Sequence, residues 1–427
     1  MSKILAFFMS IITFFMGLFG FGTKVDVTPD DTSFEPVMRF VVSSDSHIVS
    51  AGDKRSKRVT KMLNTAYAFA RESDYKTVDA AVFAGDLTDK GLSSQFVAFS
   101  SAVQTAIKPE TKLMAIVAKA HDGYQDRADS RQYISDLLGV SPDFHEIVNG
   151  FHFIGISAAA DSSVHYTEQQ IKWLDEQIAA AVADDPNKPV FVFQHEHVKN
   201  TVYGSGSEDG WGVEFFTDIL NKYPQVVHIS GHSHYPANDP RAIWQGVFTA
   251  INDGGLNYFE FTVDGENCVH PDGNDSMAQM LIVEVDKNNA VRVVVYDLTG
   301  GQIMTEYLID NVTDANKTKY APANRKALAN APVFEGTLKV EKKASGYTVT
   351  VPSAKVNADD AVFIYRIRVT DKDGKEIYSD KQLGSYYYSL EDNGASFKVK
   401  DVPSGATVTV TAEDVWGLAS APLTAVI

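Results

Sequence analysis

Among 427 residues there is one cysteine, Cys268, so no intramolecular disulfide can form. Stability must come from a packed core, as in a sizeable bacterial-type exported protein. Positive charge is also short. The 38 lysines and arginines stand against 55 aspartates and glutamates, a formal net charge of −17. Of this, −15 lies in residues 1–330 and −2 in residues 331–427. Such a surface repels nucleic acid and acidic membranes at long range, so no nucleic-acid-binding surface is expected. Wholesale disorder is excluded as well, because 44% of the residues are apolar and only 22% are charged. A chain this long outgrows a single core, which predicts two domains.

The N-terminus is strongly apolar. Lys3 precedes an uncharged run from Ile4 to Gly22, and residues 23–33 are polar. A basic start followed by an apolar core reads as a secretory signal, with Gly20-Phe21-Gly22 as a small-x-small cleavage site. If it is retained, residues 4–22 are long enough to anchor the chain in a bilayer. The expected location is extracytoplasmic, either secreted or membrane-anchored.

Residues 36–235 alternate short β-rich runs with helical patterns, the signature of βαβ units. Five polar clusters each follow an apolar run: Asp45-Ser46-His47, Gly85-Asp86-Leu87-Thr88-Asp89, Lys119-Ala120-His121-Asp122, His195-Glu196-His197 and Gly231-His232-Ser233-His234. Ligands in open α/β sheets gather beyond the carboxyl ends of strands, so loops far apart in sequence can converge on one site. Carboxylates and imidazoles are ligands suited to Mn, Fe, Zn or Mg. Helices are expected near Ser56–Arg71, Ser93–Ile107 and Thr167–Val182, the last opening on a capping box at Thr167.

From Trp244 to about Asn311 the pattern turns β-rich, with Ala242–Ala250 and Asn257–Val263 among the strands and a turn at Asn252-Asp253-Gly254-Gly255. Residues 312–334 read as a linker. Beyond it come about seven short strands, including Tyr386–Leu390, which predict a β-sandwich at residues 335–427. His145, His152, His165, His197, His228 and His270 read as packing or surface residues, with His197 the nearest to a site contact. Tyr124, Trp211 and Tyr235 are candidates for pocket walls.

The order and content of the five clusters resemble the calcineurin-like metallophosphoesterase family, whose pattern is D-x-H, G-D-x-x-D, G-N-H-[DE], a lone His and G-H-x-H. The resemblance implies a four-layer αββα sandwich over residues 34–311, after a segment 1–33 holding the signal or anchor. It implies two divalent metal ions and hydrolysis of a phosphomonoester or phosphodiester by a metal-held hydroxide, with no serine or cysteine nucleophile. By the same resemblance Asp45, His47 and His234 bind the first metal, Asp86 bridges, and His195 and His232 bind the second. His121 then serves the leaving oxygen, with Asp122 orienting it.

The third cluster departs from the pattern. Lys119-Ala120 stands where the family has Gly-Asn, which removes a neutral oxygen ligand and predicts a weaker second metal site. Lys119 is expected to point to solvent. Glu196 is read as either a substitute ligand or a solvated loop carboxylate. The rival to an enzyme of reduced activity is an impaired metal- or ligand-binding surface protein on the same scaffold. The stretch from Val402-Pro403-Ser404-Gly405 to Trp416-Gly417 resembles the last strands of a fibronectin type III domain, which implies a spacer or a cell-surface contact module.

Overall fold

The structure is a computed structural model that describes residue 27 and residues 33–207 and 210–427. The expected signal or anchor at 4–22 lies outside the described residues. Among those residues, no helix is long and apolar enough to cross a membrane.

The chain runs through β1 (Pro36–Ser43), α1 (Lys54–Glu72), β2 (Ala80–Ala84), α2 (Ser93–Ala106), β3 (Lys112–Ile116) and α3 (Arg127–Leu138). The hairpin β4 (Phe144–Val148) and β5 (Phe151–Gly155), then α4 (Glu168–Asp184) and β6 (Val190–Phe193), follow. Two-residue strands β7 (His197–Val198) and β8 (Gly212–Val213) and the short α5 (Thr217–Leu220) precede β9 (Val226–Ser230), β10 (Ile243–Gln245) and β11 (Thr249–Asn252). A hairpin of β12 (Phe261–Val263) and β13 (Glu266–Val269) leads into β14 (Gln279–Asp286), β15 (Val291–Asp297) and β16 (Gln302–Ile309).

These strands form two six-stranded sheets, ordered β16-β15-β14-β1-β2-β3 and β10-β11-β9-β6-β5-β4. The period-2 alternation of each strand decides which residues meet. On β1, Met38, Phe40 and Val42 face the second sheet, whereas Val41 faces α1 and α2. Phe40 meets Phe191 and Phe153 edge-on at 4.8 and 4.9 Å, at the centre of the layer between the sheets. Truncating such a ring to alanine costs about 3–5 kcal/mol.

Helix α1 begins at Asp53, whose carboxylate accepts from Ser56 N at 2.7 Å. Its buried Val59, Met62, Leu63, Ala66, Phe69 and Ala70 form the apolar stripe of an amphipathic helix. Helix α4 starts with the Thr167 capping box and packs on the outer face of the second sheet. The result is an α/β-β/α four-layer sandwich.

Two expected strands are shorter than the apolar pattern suggested. Residues 242–250 are not one strand, because Gly246 N pairs with Phe248 O and turns the chain between β10 and β11. In the 257–263 stretch only Phe261–Val263 is extended into a ladder.

The stretch 312–334 is not a free tether. It holds α6 (Pro322–Leu328) and β17 (Val333–Phe334). Buried Lys317 donates to the carbonyls of Pro224 and Val247 at 2.8 and 2.6 Å, which pins it to the second sheet.

Next come β18 (Lys339–Lys343), β19 (Gly346–Val351), β20 (Ala354–Lys355), β21 (Val362–Thr370), β22 (Glu376–Leu383), β23 (Ala395–Val399), β24 (Thr407–Asp414) and β25 (Leu423–Val426). Sheets β18-β19-β23 and β22-β21-β24-β25 enclose a core of Val349, Tyr365, Ile367, Phe397, Val408 and Val410. The region is an all-β sandwich. The expected strand at Tyr386–Leu390 is instead a turn, which reaches out of the sandwich and docks on the α/β region. Asn238 Nδ2 donates to Tyr386 O at 2.8 Å, and Tyr386 OH donates to Asp239 Oδ2 at 2.6 Å.

Candidate metal centre

The five polar clusters follow the carboxyl ends of β1, β2, β3, β6 and β9. Strands β1, β2 and β3 run parallel in one sheet, and β6 and β9 run parallel in the other, so their ends share one rim of the sandwich. The loops are tied to each other: Asp45 N donates to Gly85 O, His47 N to Asp86 O and Gly231 N to His195 O, each at 3.0 Å.

Backbone strain concentrates here. Asp45, His47, Asp86, His232 and His234 all have positive φ, between 46° and 74°. Non-glycine residues enter this region at a cost of order 1–3 kcal/mol each, and only when their surroundings hold them there. Two glycines make the convergence sterically feasible. A Cβ on Gly85 would lie 2.7 Å from the His195 ring, and one on Gly231 would lie 1.8 Å from Ser44 Oγ.

The structure gathers the six residues expected as metal ligands into two triads. Asp45, His47 and His234 form one, and Asp86, His195 and His232 the other, with the ligand atoms of each triad within 4.8 Å of one another. His234 Nε2 lies 3.3 Å from Asp45 Oδ1 and 3.0 Å from His47 Nε2. His195 Nε2 lies 3.2 Å from both Asp86 Oδ2 and His232 Nδ1. The triads adjoin, since His47 Nε2 is 3.9 Å from Asp86 Oδ2 and His195 Nε2 is 3.9 Å from Asp45 Oδ1.

Second contacts fix the tautomers. His195 Nδ1 faces the Ala84 carbonyl at 2.9 Å, and His234 Nδ1 faces the Tyr258 carbonyl at 3.2 Å. A nitrogen facing a carbonyl must carry a hydrogen, so Nε2 is the atom turned toward the carboxylates. The Tyr258 ring also stacks on His234, with centroids 4.0 Å apart and planes 12° apart.

The electrostatics leave places for positive charge. Asp45 Oδ1 and Asp86 Oδ1 are buried and have no hydrogen-bond partner among the described residues. Burial opposes ionisation of Asp45, yet His234 and His195 outweigh it and hold the carboxyl well below its usual range. Burial likewise opposes ionisation of Asp86, which His195 then pulls down. Burial and the neighbouring His195 push His232 down to about 4. Two carboxylates and four imidazoles, meeting through Nε2 of His47, His195 and His234 and Nδ1 of His232, make a donor set that fits divalent cations.

The His121 ring lies edge-on to His47, 4.2 Å between centroids, and its Nδ1 faces the Asp89 carbonyl at 2.9 Å. Asp122 does not orient it, contrary to the sequence expectation. The fully buried Asp122 carboxylate accepts from Leu87 N (3.2 Å), Thr88 N (2.9 Å), Thr88 Oγ1 (2.8 Å) and Ala118 N (3.1 Å), which ties the loop after β2 to the end of β3. The backbone groups of two loops claim both of its oxygens, and the carbonyl of Asp89 takes its place beside His121. Burial, with Asp86 nearby, raises the Asp122 carboxyl to about 6.

Lys119 and Ala120 are exposed. Glu196 is neither a solvated carboxylate nor turned to a triad atom. It is buried, 2.8 Å from His165 Nε2, and accepts from Tyr166 OH at 3.2 Å. Against the cost of burial, His165 holds it down at about 2.

His197 is clamped between Ser230 Oγ and Ser233 Oγ at 2.8 Å each. His145 pairs with His152, His270 with Glu260, and His228 is fully buried. Trp211 stands edge-on to His232 at 5.1 Å, Tyr124 is 71% exposed, and Tyr235 packs on Tyr203 toward the β-sandwich.

Asp253, Ser44 and Tyr258 escaped the sequence reading. Asp253 sits just past the end of β11, and the same strand-end rule could have found it. Its turn-like neighbours Asn252, Gly254 and Gly255 concealed it.

Residues 38–236 match the family model for calcineurin-like phosphoesterases. A search of curated proteins gives no match. Among solved structures, the chain is similar to a purple acid phosphatase from yellow lupin (Lupinus luteus) seeds, at 13% identity and a TM-score of 0.45. That match covers 64% of this chain and 54% of the lupin chain, so this chain spans about half of the lupin protein's length. It is also similar to the anchor in the inner membrane complex of Plasmodium, at 13% identity and a TM-score of 0.42, over 68% of this chain and 92% of that one.

Proposed function

We propose that this chain is an exported, metal-dependent phosphoesterase whose calcineurin-like domain hydrolyses phosphate monoesters or diesters at the paired triads. One observation carries the reading. Two buried carboxylates, each with one unpartnered oxygen, and the Nε2 atoms of His47, His195 and His234 converge from two sheets, an arrangement that is stable only with positive charge between them. Two divalent metals held there by Asp45, His47 and His234 and by Asp86, His195 and His232 would supply Lewis-acid charge and an activated water.

The residues of the chain divide the remaining work. Asp86 neutralises both sites from a position between them. The carbonyls of Ala84 and Tyr258 keep the Nε2 atoms of His195 and His234 turned inward. His121, with Nδ1 committed to the Asp89 carbonyl, presents its other nitrogen as proton donor to the leaving oxygen.

The second site is the weaker one in this reading, because exposed Ala120 offers no side-chain oxygen and three protein ligands remain. The same feature supports the rival, a binding protein that keeps the metal without turnover. Chromogenic phosphate mono- and diesters with Mn²⁺-loaded protein separate the two. Turnover by the parent establishes the enzyme, whereas an inert parent that gains turnover with Ala120→Asn establishes the rival.

Export rests on the apolar run 4–22, and compartment fractionation of the full chain tests it: protein retained in the cytosol contradicts it. The C-terminal sandwich, fibronectin III-like in its closing sequence, is in this reading a module for cell-surface contact.

A further inference from the structure

Asp45 uses its two carboxylate oxygens differently. Oδ1 has no hydrogen-bond partner among the described residues and faces His234, His47 and His195 at 3.3, 3.6 and 3.9 Å. Oδ2 points the other way, where it accepts from His232 N at 2.9 Å and from the Ser44 hydroxyl. Ser44 Oγ in turn lies 2.6 Å from Asp253 Oδ1. The three side chains are buried, and among the described residues no lysine or arginine reaches them with a hydrogen bond.

A hydroxyl carries one hydrogen. If Ser44 donates to Asp45 Oδ2, the contact with Asp253 needs a second hydrogen, and only a neutral Asp253 carboxylic acid can supply it. The local backbone is built to deliver that group. Asn252 Nδ2 donates to Tyr235 O at 2.8 Å, and Gly254 N to Asn252 Oδ1 at 3.0 Å. Gly254 and Gly255 take φ of 83° and 134°, which folds the turn against Asp45 so closely that a Cβ on Gly255 would meet the Asp45 Cβ at 3.2 Å. Asp253 N donates to Ser230 O at 2.9 Å and fixes the turn to the end of β9.

We propose that Asp253 is a positioning residue for the metal centre: through the Ser44 hydroxyl it holds Asp45 Oδ2 in place, so that Oδ1 is left as the ligand atom. It touches neither substrate nor metal. This rests on Asp45 being a metal ligand. Outer partners of this kind are typically worth 10–100-fold in metal affinity.

The test titrates metal-free full-length protein with Mn²⁺ by calorimetry, for the parent, Asp253→Ala, Asp253→Asn and Ser44→Ala, with thermal melting as a check on folding. Asp253→Ala and Ser44→Ala should weaken the tighter binding event about 10–100-fold. Asp253→Asn, whose amide supplies the same hydrogen to Ser44, should bind like the parent. Should Asp253→Ala fail to fold, Ser44→Ala, which removes a single hydroxyl, decides. Parent-like affinity in the alanine variants, or an asparagine variant as weak as the alanine, overturns the inference. A parent that binds no Mn²⁺ overturns the underlying metal-centre reading instead.

Discussion

His47 Nε2 and His234 Nε2 stand 3.0 Å apart, although they follow β1 of one sheet and β9 of the other. With His234 Nδ1 committed to the Tyr258 carbonyl, its Nε2 is the atom that faces both another imidazole and the Asp45 carboxylate. Acceptors at that separation repel unless a proton or a cation lies between them. Both histidines also have positive φ, so the backbone bears strain to hold the contact.

The leaving-group role of His121 gives a kinetic prediction. His121→Ala should lower kcat by about 10²–10⁴-fold, the usual worth of a positioned proton donor. Bound metal, measured by elemental analysis, should be unchanged, because His121 is outside both three-residue triads. Equal losses of metal and of turnover would instead make it a ligand.

Asp122 should behave otherwise. Asp122→Ala leaves the donors of Leu87, Thr88 and Ala118 unsatisfied in a buried loop junction. Unfolding in denaturant should show a loss of about 3 kcal/mol or more. A variant as stable as the parent but with altered leaving-group dependence would restore the orienting role expected from sequence.

Ala120→Asn should tighten the second Mn²⁺-binding event without changing the first. Restoring an oxygen ligand is expected to gain at least the roughly tenfold typical of a lesser, outer-shell partner. Two-site calorimetric titration reads both events in one experiment, and an unchanged second event would mean that Ala120 is no deficit.

The β-sandwich should matter to the α/β region. Phe259, Phe261 and Val263 share a buried cluster with Phe363, Ile364 and Tyr387. The Arg241 guanidinium, paired with Asp239, lies 3.6 Å from the centroid of Tyr203 and 4.8 Å from that of Phe363. This interface continues directly from His234, through Tyr235, and from Tyr258. Phe363→Ala should cost about 3–5 kcal/mol and lower metal affinity with it. Independent melting of two units, with metal binding untouched, would show a mere spacer.

A pH effect follows at the same junction. Burial and the adjacent Asp414 raise Asp360 to about 7. The folded chain therefore holds a proton that the unfolded chain releases near the ordinary carboxyl value of 3.8. Stability from this group is complete below that value and is lost as pH rises through about 7. The difference in melting temperature between pH 5 and pH 8 should shrink in Asp360→Asn, and an unchanged difference would remove Asp360 as its source.

Much of the site was legible because it follows from local rules. Apolar runs ending in His or Asp, read with the strand-end rule, bring the five clusters to one rim, and the family resemblance divides their residues into two ligand sets. What was not legible depends on partners distant in sequence. Asp122 next to His121 suggested a pair, but backbone donors 34 and 35 residues away take its oxygens. The aromatic run Tyr386-Tyr387-Tyr388 reads as a strand because its pattern is apolar, yet its true partners, Asp239 and Phe261, lie across the interface with the α/β region. Asp253 was hidden for the opposite reason: its glycine neighbours signal an exposed turn, and only the packing of β11 beside β9 buries it.

The central claim is most directly tested by one reconstitution series on full-length protein. Turnover of a chromogenic phosphate ester is measured after chelation and again after adding back Mn²⁺, for the parent and Asp86→Ala. Chelation should abolish turnover in the parent and Mn²⁺ should restore it, while Asp86→Ala stays more than about 100-fold below the parent at every Mn²⁺ concentration, beyond the range for outer-shell changes. Turnover that survives chelation and is equal in the two proteins would contradict the account.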